Sequence, residues 1–207
     1  MRYRPWTPIV LCVVLGSVSG CGGDSDESVS AAVDAGAQEP DQTQVKSTPV
    51  LNFEVQGDFS GPRIALEADK TADNIVQVRV LVRDVQDLYA IATHLVWDPA
   101  YLKLKDSKSH TMLQGSGYES RTIVKPHDGA RLLLGAARFR SGGSPWSGLE
   151  GVDVGKQLWA TLAFEVISEG STDVYFDVDH TIVKSSEYQD LSVSKHKLAV
   201  TYEGRQP

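Results

Sequence analysis

The chain has no apolar run long enough to cross a bilayer. Its longest, Ile9 to Val18, is ten residues, against the ~20 that the hydrocarbon core demands of a helix. Basic charge is also short: 20 Lys and Arg face 27 Asp and Glu, a net charge of −7 at pH 7. That excludes the basic footprint by which nucleic acids and anionic lipid surfaces are held. Cysteine is scarcer still, with only Cys12 and Cys21, and long amphipathic helical patterns are missing. What remains must fold around a buried apolar core.

The short apolar run is preceded by Arg2 and Arg4 and followed by Val18-Ser19-Gly20-Cys21. A charged start, a brief apolar stretch and small residues form an export signal, not a transmembrane helix. The last four residues resemble the lipobox of bacterial lipoproteins. The resemblance implies cleavage before Cys21 and a diacylglycerol on its sulfur. With Cys12 removed and Cys21 lipidated, no thiol is left for a disulfide or a metal. Several acyl chains, at ~0.8 kcal/mol per buried methylene, suffice to hold a domain on a membrane. The mature chain, 18 basic against 27 acidic residues, touches the membrane through lipid only. The expected location is the bacterial cell envelope, lipid-anchored, with the outer membrane as the expected site.

Three segments follow. Residues 1–20 are the signal peptide, and residues 21–48 are the lipidated cysteine and a flexible acidic tether. Gly22 to Thr48 carries six acidic residues, one basic residue and no aromatic, too little apolar surface to offset the entropy of ordering. As a flexible coil it spans roughly 30 Å, enough to lift a domain clear of headgroups. Residues 49–207 are the domain.

From Pro49 onward the period is two. Val76, Val78, Val80 and Val82 alternate with Gln77, Arg79, Leu81 and Arg83, the pattern of a strand with one buried face. Leu158, Ala160, Leu162, Phe164 and Val166 alternate with Trp159, Thr161, Ala163 and Glu165. Further strands are expected at Leu51 to Val55, Arg63 to Glu67, Ala90 to Trp97, Arg121 to Lys125, Ala130 to Arg138, Asp173 to Val178 and Lys197 to Tyr202. Ser141 to Gly155, with five glycines and a proline around Trp146, reads as one long loop. Many short strands between Gly, Asp, Pro and Ser turns predict an all-β fold, an antiparallel two-sheet β-sandwich.

Two stretches are more specific. Val82-Arg83-Asp84-Val85-Gln86-Asp87-Leu88-Tyr89 leads into a strand that closes on Trp97-Asp98-Pro99, and Leu102 follows. Later comes Gly155-Lys156-Gln157-Leu158-Trp159-Ala160-Thr161-Leu162-Ala163-Phe164-Glu165-Val166. Over roughly Arg63 to Tyr202 the chain resembles the cohesin family, whose strands carry a short turn, an aromatic-Asp-Pro ending and such a Gly-to-Val run. The resemblance implies a jelly-roll sandwich, related in fold to carbohydrate-binding modules. It also implies a non-catalytic role, binding a calcium-loaded, helical dockerin-like protein partner. Asp98-Pro99 ends a strand for physical reasons of its own, because proline cannot donate to a ladder and aspartate bonds nearby amides.

If Trp97 points inward, Ala90, Ala92, His94 and Val96 point outward. Small apolar residues there permit close approach of a partner, and the expected partner face is this row with Arg121 and Arg138. The row could equally be covered by the strand at Leu51 to Val55 or by the loop at Trp146. Trp146 and Tyr118 are loop aromatics for stacking on a sugar, which keeps a polysaccharide ligand as an alternative. A structural subunit of an envelope assembly is the third reading.

No enzyme is expected. Ser144 lies in Gly142-Gly143-Ser144-Pro145-Trp146, without the glycine spacing of a nucleophile elbow. The five histidines, His94, His110, His127, His180 and His196, show no His-x-x-x-His pair. Asp177, Asp179, Glu187 and Asp190 lack the glycine and closing glutamate of a calcium loop. No metal and no cofactor is expected beyond the lipid on Cys21, with calcium only on a partner.

Overall fold

Strand β1, Val50–Gln56, opens the part of the chain that the computed structural model describes, which is residues 50–115, 117–140 and 149–204. Cys21, the expected signal and tether, and Trp146 lie outside the described residues. Ten further strands follow: β2 Arg63–Ala72, β3 Ile75–Trp97, β4 Leu102–Ser109, β5 Tyr118–Asp128, β6 Arg131–Arg140, β7 Val152–Val166, β8 Gly170–Phe176, β9 Ile182–Ser185, β10 Ser194–Lys195 and β11 Lys197–Glu203. Among the described residues no helix occurs, and the fold is the expected all-β sandwich.

The architecture hangs on β3. The alternation predicts two strands between Val76 and Trp97, with a turn at residues 82–89; instead one strand of 23 residues runs through. Its first half pairs with β2 on one side and β7 on the other, and β7 pairs onward with β4. Its second half pairs with β6, and on the opposite side with β9 and β8. From there the second sheet extends through β11 to β1 at one edge, and through β6 to β5 at the other. All these pairings are antiparallel; β10 alone is parallel, to β2.

The switch between sheets sits at the residues expected to turn. Asp84 and Asp87 have φ of 55° and 51°, a left-handed conformation that aspartate tolerates better than most residues. The β3–β7 register slips between Val85 and Leu88. A slip of this kind inverts the inward parity. Before it Val76, Val78, Val80 and Val82 face the core; after it Ile91, Thr93, Leu95 and Trp97 do, all buried. Val82-Arg83-Asp84-Val85-Gln86-Asp87-Leu88-Tyr89 is thus a bend within a strand.

Trp97-Asp98-Pro99 ends β3 as read. Asp98 Oδ1 accepts from the Ala100 N–H at 2.9 Å, the Asp98 carbonyl accepts from the Leu102 N–H at 3.0 Å, and Trp97 and Leu102 are both buried. In β7 the simple alternation fails. The pairing slips from Val80–Ala160 to Leu81–Leu158, leaving Trp159 as the extra residue of a bulge. Trp159 and Ala160 are both fully buried while Leu158 is only partly so. The loop expected over Ser141 to Gly155 also ends early, since β7 begins at Val152.

The first sheet's outer face carries an ion cluster centred on Glu67. Its carboxylate meets Arg83 Nη2 at 2.6 Å, Lys156 Nζ at 3.1 Å and Arg79 Nε at 3.5 Å. Partial burial pushes this carboxyl up, but the hydrogen bonds from Lys156 and Arg83 outweigh it and hold the group below its ordinary value. A folded-state value below the unfolded one contributes stability above the unfolded range near ~4.3, lost as pH falls through the folded value. Glu67→Gln is expected to cost ~1 kcal/mol at pH 7 and progressively less as the pH falls below the ordinary carboxylate range; parallel urea titrations at neutral and acid pH check it.

Candidate functional site

The strand pairings arrange the outward residues of the second sheet in rungs. Ala90 faces Ala137 on β6 and Lys184 on β9, and Ala137 faces Arg121 on β5. Ala92 faces Gly135 and Ile182, and Gly135 faces Ile123. His94 faces Leu133, which faces Lys125. Val96 faces Arg131 and Tyr175. The expected row of Ala90, Ala92, His94 and Val96 is therefore one outward, half-buried face, alternating with buried Ile91, Thr93, Leu95 and Trp97.

Small residues on two adjacent strands leave a hollow. A depression of about 360 Å³ lies over Ala90, Ala92, Gly135 and Ala137, walled by Ile123, Ile182, Phe139 and Arg121. Ile123 and Ile182 are 50% and 53% exposed. Arg121 lies with Cζ 5.2 Å from the centre of the Phe139 ring, a cation–π contact that leaves its charge at the rim. Sequence reasoning misses Ile123, Gly135, Ala137, Phe139 and Ile182; the alternation within Ala130 to Arg138 is the available signal, since the outward positions of β6 include Gly135 and Ala137.

Arg138 corrects the expected site. It belongs to the inward row of β6 with Leu132, Leu134 and Ala136, and is 4% exposed. Its Nη1 donates to the Glu150 carbonyl at 3.0 Å, and its Cζ stands 4.2 Å from the centre of the Tyr118 ring. Arg121 and Arg138 lie 17 positions apart on paired strands, yet Arg121 pairs with Ala137, so the neighbour of Ala137 takes the opposite face. Tyr118 is half-buried with a guanidinium over one ring face, and that face is closed to a sugar. The alternative cover for the row also changes: β1 adds edge-on to β11, extending the sheet.

At the other end of the face the fold gathers three histidines. His94 stacks between His127, at 5.3 Å between ring centres, and His180, at 5.1 Å. The turn after β8 fixes the arrangement. The Asp177 N–H donates to the His94 carbonyl at 2.9 Å, Asp177 Oδ1 accepts from the Asp179 N–H at 3.1 Å, and Asp177 Oδ2 lies 2.8 Å from His180 Nδ1. Desolvation pushes the Asp177 carboxyl up, but its hydrogen bond to His180 and that residue's charge, with the backbone N–H groups of Asp179 and His180, hold it below the ordinary carboxylate value. Of the four acidic residues considered as oxygen donors, Asp190 pairs with Lys184 at 2.7 Å, and only Asp177 joins a group of metal-capable side chains among the described residues. His110 and His196 are elsewhere, bonded to Thr161 and to the Asp58 carbonyl.

No family profile and no curated protein matches the chain. Among solved structures, the second type II cohesin module of the adaptor scaffoldin of Acetivibrio cellulolyticus is 14% identical, covering 65% of this chain and 91% of that one, at a TM-score of 0.45. The cohesin module of a Clostridium perfringens family 33 glycoside hydrolase is 9% identical, covering 70% and 96%, at 0.45. The non-cellulosomal cohesin of the archaeon Archaeoglobus fulgidus is 15% identical, covering 65% and 85%, at 0.43. The chain resembles cohesin modules.

Proposed function

We propose that this chain is a non-catalytic binding module, lipid-anchored through Cys21 at the bacterial cell envelope, that recruits a protein partner through the outward face of β5, β6, β3 and β9. The observation that carries the reading is the depression floored by Ala90, Ala92, Gly135 and Ala137 with half-exposed isoleucines on its walls. A rimmed apolar hollow of this kind is the ordinary receptor for an anchoring side chain. Arg121, Lys125, Arg131 and Lys184 on the same strands suit a partner with acidic groups beside an apolar anchor. A calcium-loaded dockerin-type module is the specific partner proposed. Since alanine and glycine offer no side-chain hydrogen bonds, affinity at the floor comes from apolar burial.

The test is capture from solubilised envelope proteins on the immobilised full chain, in calcium and in chelator, comparing Ala92→Arg with Ala163→Arg. Both alanines are half-buried and outward, on opposite sheets. Ala92→Arg is expected to reduce capture at least about tenfold, the effect of losing ~1.4 kcal/mol, with Ala163→Arg unchanged. Equal capture by the two variants removes the face from the reading, and capture that survives chelation removes the calcium-loaded partner.

A further inference from the structure

We propose that His94, Asp177 and His180 form a binding site for a divalent transition-metal ion of the zinc class, a property separate from the docking reading. One donor atom from each of the three lies within 4.8 Å of the others. Two imidazoles and a carboxylate are the donor set that zinc takes when three protein ligands leave a fourth position open. Tetrahedral zinc, at bond lengths of about 2.0–2.2 Å, needs donors roughly 3.4 Å apart. Side-chain rotation supplies the difference, because the His180 side chain is 56% exposed and is held only by its contacts with Asp177 and the His94 ring.

Three further features favour an ion over a plain hydrogen-bonded cluster. The Asp177 carboxylate is already aimed, with Oδ1 held by the Asp179 N–H and Oδ2 toward His180; outer partners of this kind orient a metal ligand before the metal arrives. The backbone bond between Asp177 and His94 ties the turn after β8 to β3, so the donors are held at one point beside the sheet. His94 Nδ1 is buried and has no hydrogen-bond partner, an uncommon state for a ring nitrogen and one that coordination through Nδ1 would end. The contact between Asp177 Oδ2 and His180 Nδ1 gives way when the ion takes its place.

The experiment is calorimetric titration of Zn²⁺ into the full chain, free of any histidine tag and carrying Cys12→Ser and Cys21→Ser so that no thiol competes. The expected result is one equivalent bound, with affinity lowered at least about tenfold in His94→Ala and again in His180→Ala, while His110→Ala matches the parent. His180 is exposed, so its variant keeps the fold, and circular dichroism of each protein verifies this. Absence of saturable binding overturns the proposal. Equal zinc affinity in the parent and the His94→Ala/His180→Ala double variant overturns it too, assigning the heat to dispersed surface carboxylates. Because the readout is zinc alone, failure here leaves partner capture untouched, and loss of partner capture leaves the zinc result standing.

Discussion

Replacing Gly151 by alanine is expected to destabilise the fold by about 3 kcal/mol or more, the upper range for forcing atoms into a packed site. A β-carbon at this position would overlap the Asp87 carboxylate oxygen together with the Asp87 carbonyl carbon and oxygen. Two of those three atoms are backbone, and Asp87 cannot retreat. Its N–H donates to Asp153 Oδ1 at 2.9 Å, its Oδ1 accepts from the Gly151 N–H at 3.1 Å, and its Oδ2 accepts from the N–H and hydroxyl of Ser186 at 3.2 and 3.0 Å. One carboxylate thereby ties the bend of β3 to the entry of β7 and the exit of β9. Asp87→Ala loses three acceptor bonds and places alanine in the left-handed region, and is expected to cost ~3 kcal/mol. Asp87→Gly relieves the conformational cost and keeps the bond loss, so it should fall between Asp87→Ala and the parent. Urea unfolding of the four proteins checks the order. A Gly151→Ala variant whose stability matches the parent's would mean that the approach of residue 151 to the bend is not a constraint on the fold.

This bend also explains what can and cannot be read from the chain. Local alternation is visible wherever one face is buried, which is why Val76 to Val82 and Ala90 to Trp97 both show their inward parities in the sequence. That the two are one strand is invisible there, because two aspartates in a charged stretch look like a turn, and only pairing with β7 and β9 shows the chain running on. β4 escapes notice because its sequence, Leu102-Lys103-Leu104-Lys105-Asp106-Ser107-Lys108-Ser109, is mostly exposed and charged, as an edge strand is when it discourages further pairing. β9 has four residues, too few for a period. The proposed face is half legible: Ala90, Ala92, His94 and Val96 follow from parity, whereas placing Arg138 on the face ignores the β5–β6 register that sends it inward. The histidine group is not legible at all. His94, His127 and His180 come from three different elements, and no spacing along the chain encodes a contact that the sheet makes across it.

Trp159→Ala is expected to be the costliest single core truncation, at ~3–5 kcal/mol. Trp159 is fully buried in spite of standing at a position that strict alternation would turn outward, so the β7 bulge and the ring require each other. Its Nε1 donates to the Gly135 carbonyl at 3.4 Å, a long bond worth less than a typical one; most of the cost is therefore lost packing and a cavity. Trp159→Phe separates the two contributions, because it removes the N–H while keeping an aromatic ring, and should cost about half as much. Under the proposed binding role the loss is functional as well as structural. Gly135 is on the floor of the outward depression, and the indole stands directly behind its peptide, supporting β6 from the core side. A cavity there lets the floor of the hollow sink, so Trp159→Ala should weaken partner capture even under conditions where the protein remains folded, while Trp159→Phe should retain it. Urea unfolding read by circular dichroism, set beside capture at a denaturant-free temperature well below the transition, distinguishes the outcomes. A cost below about 1 kcal/mol for Trp159→Ala, far under the usual range for such a truncation, would show that the bulge closes without its ring, and that β6 is held in place by its pairing with β3 and β5 alone.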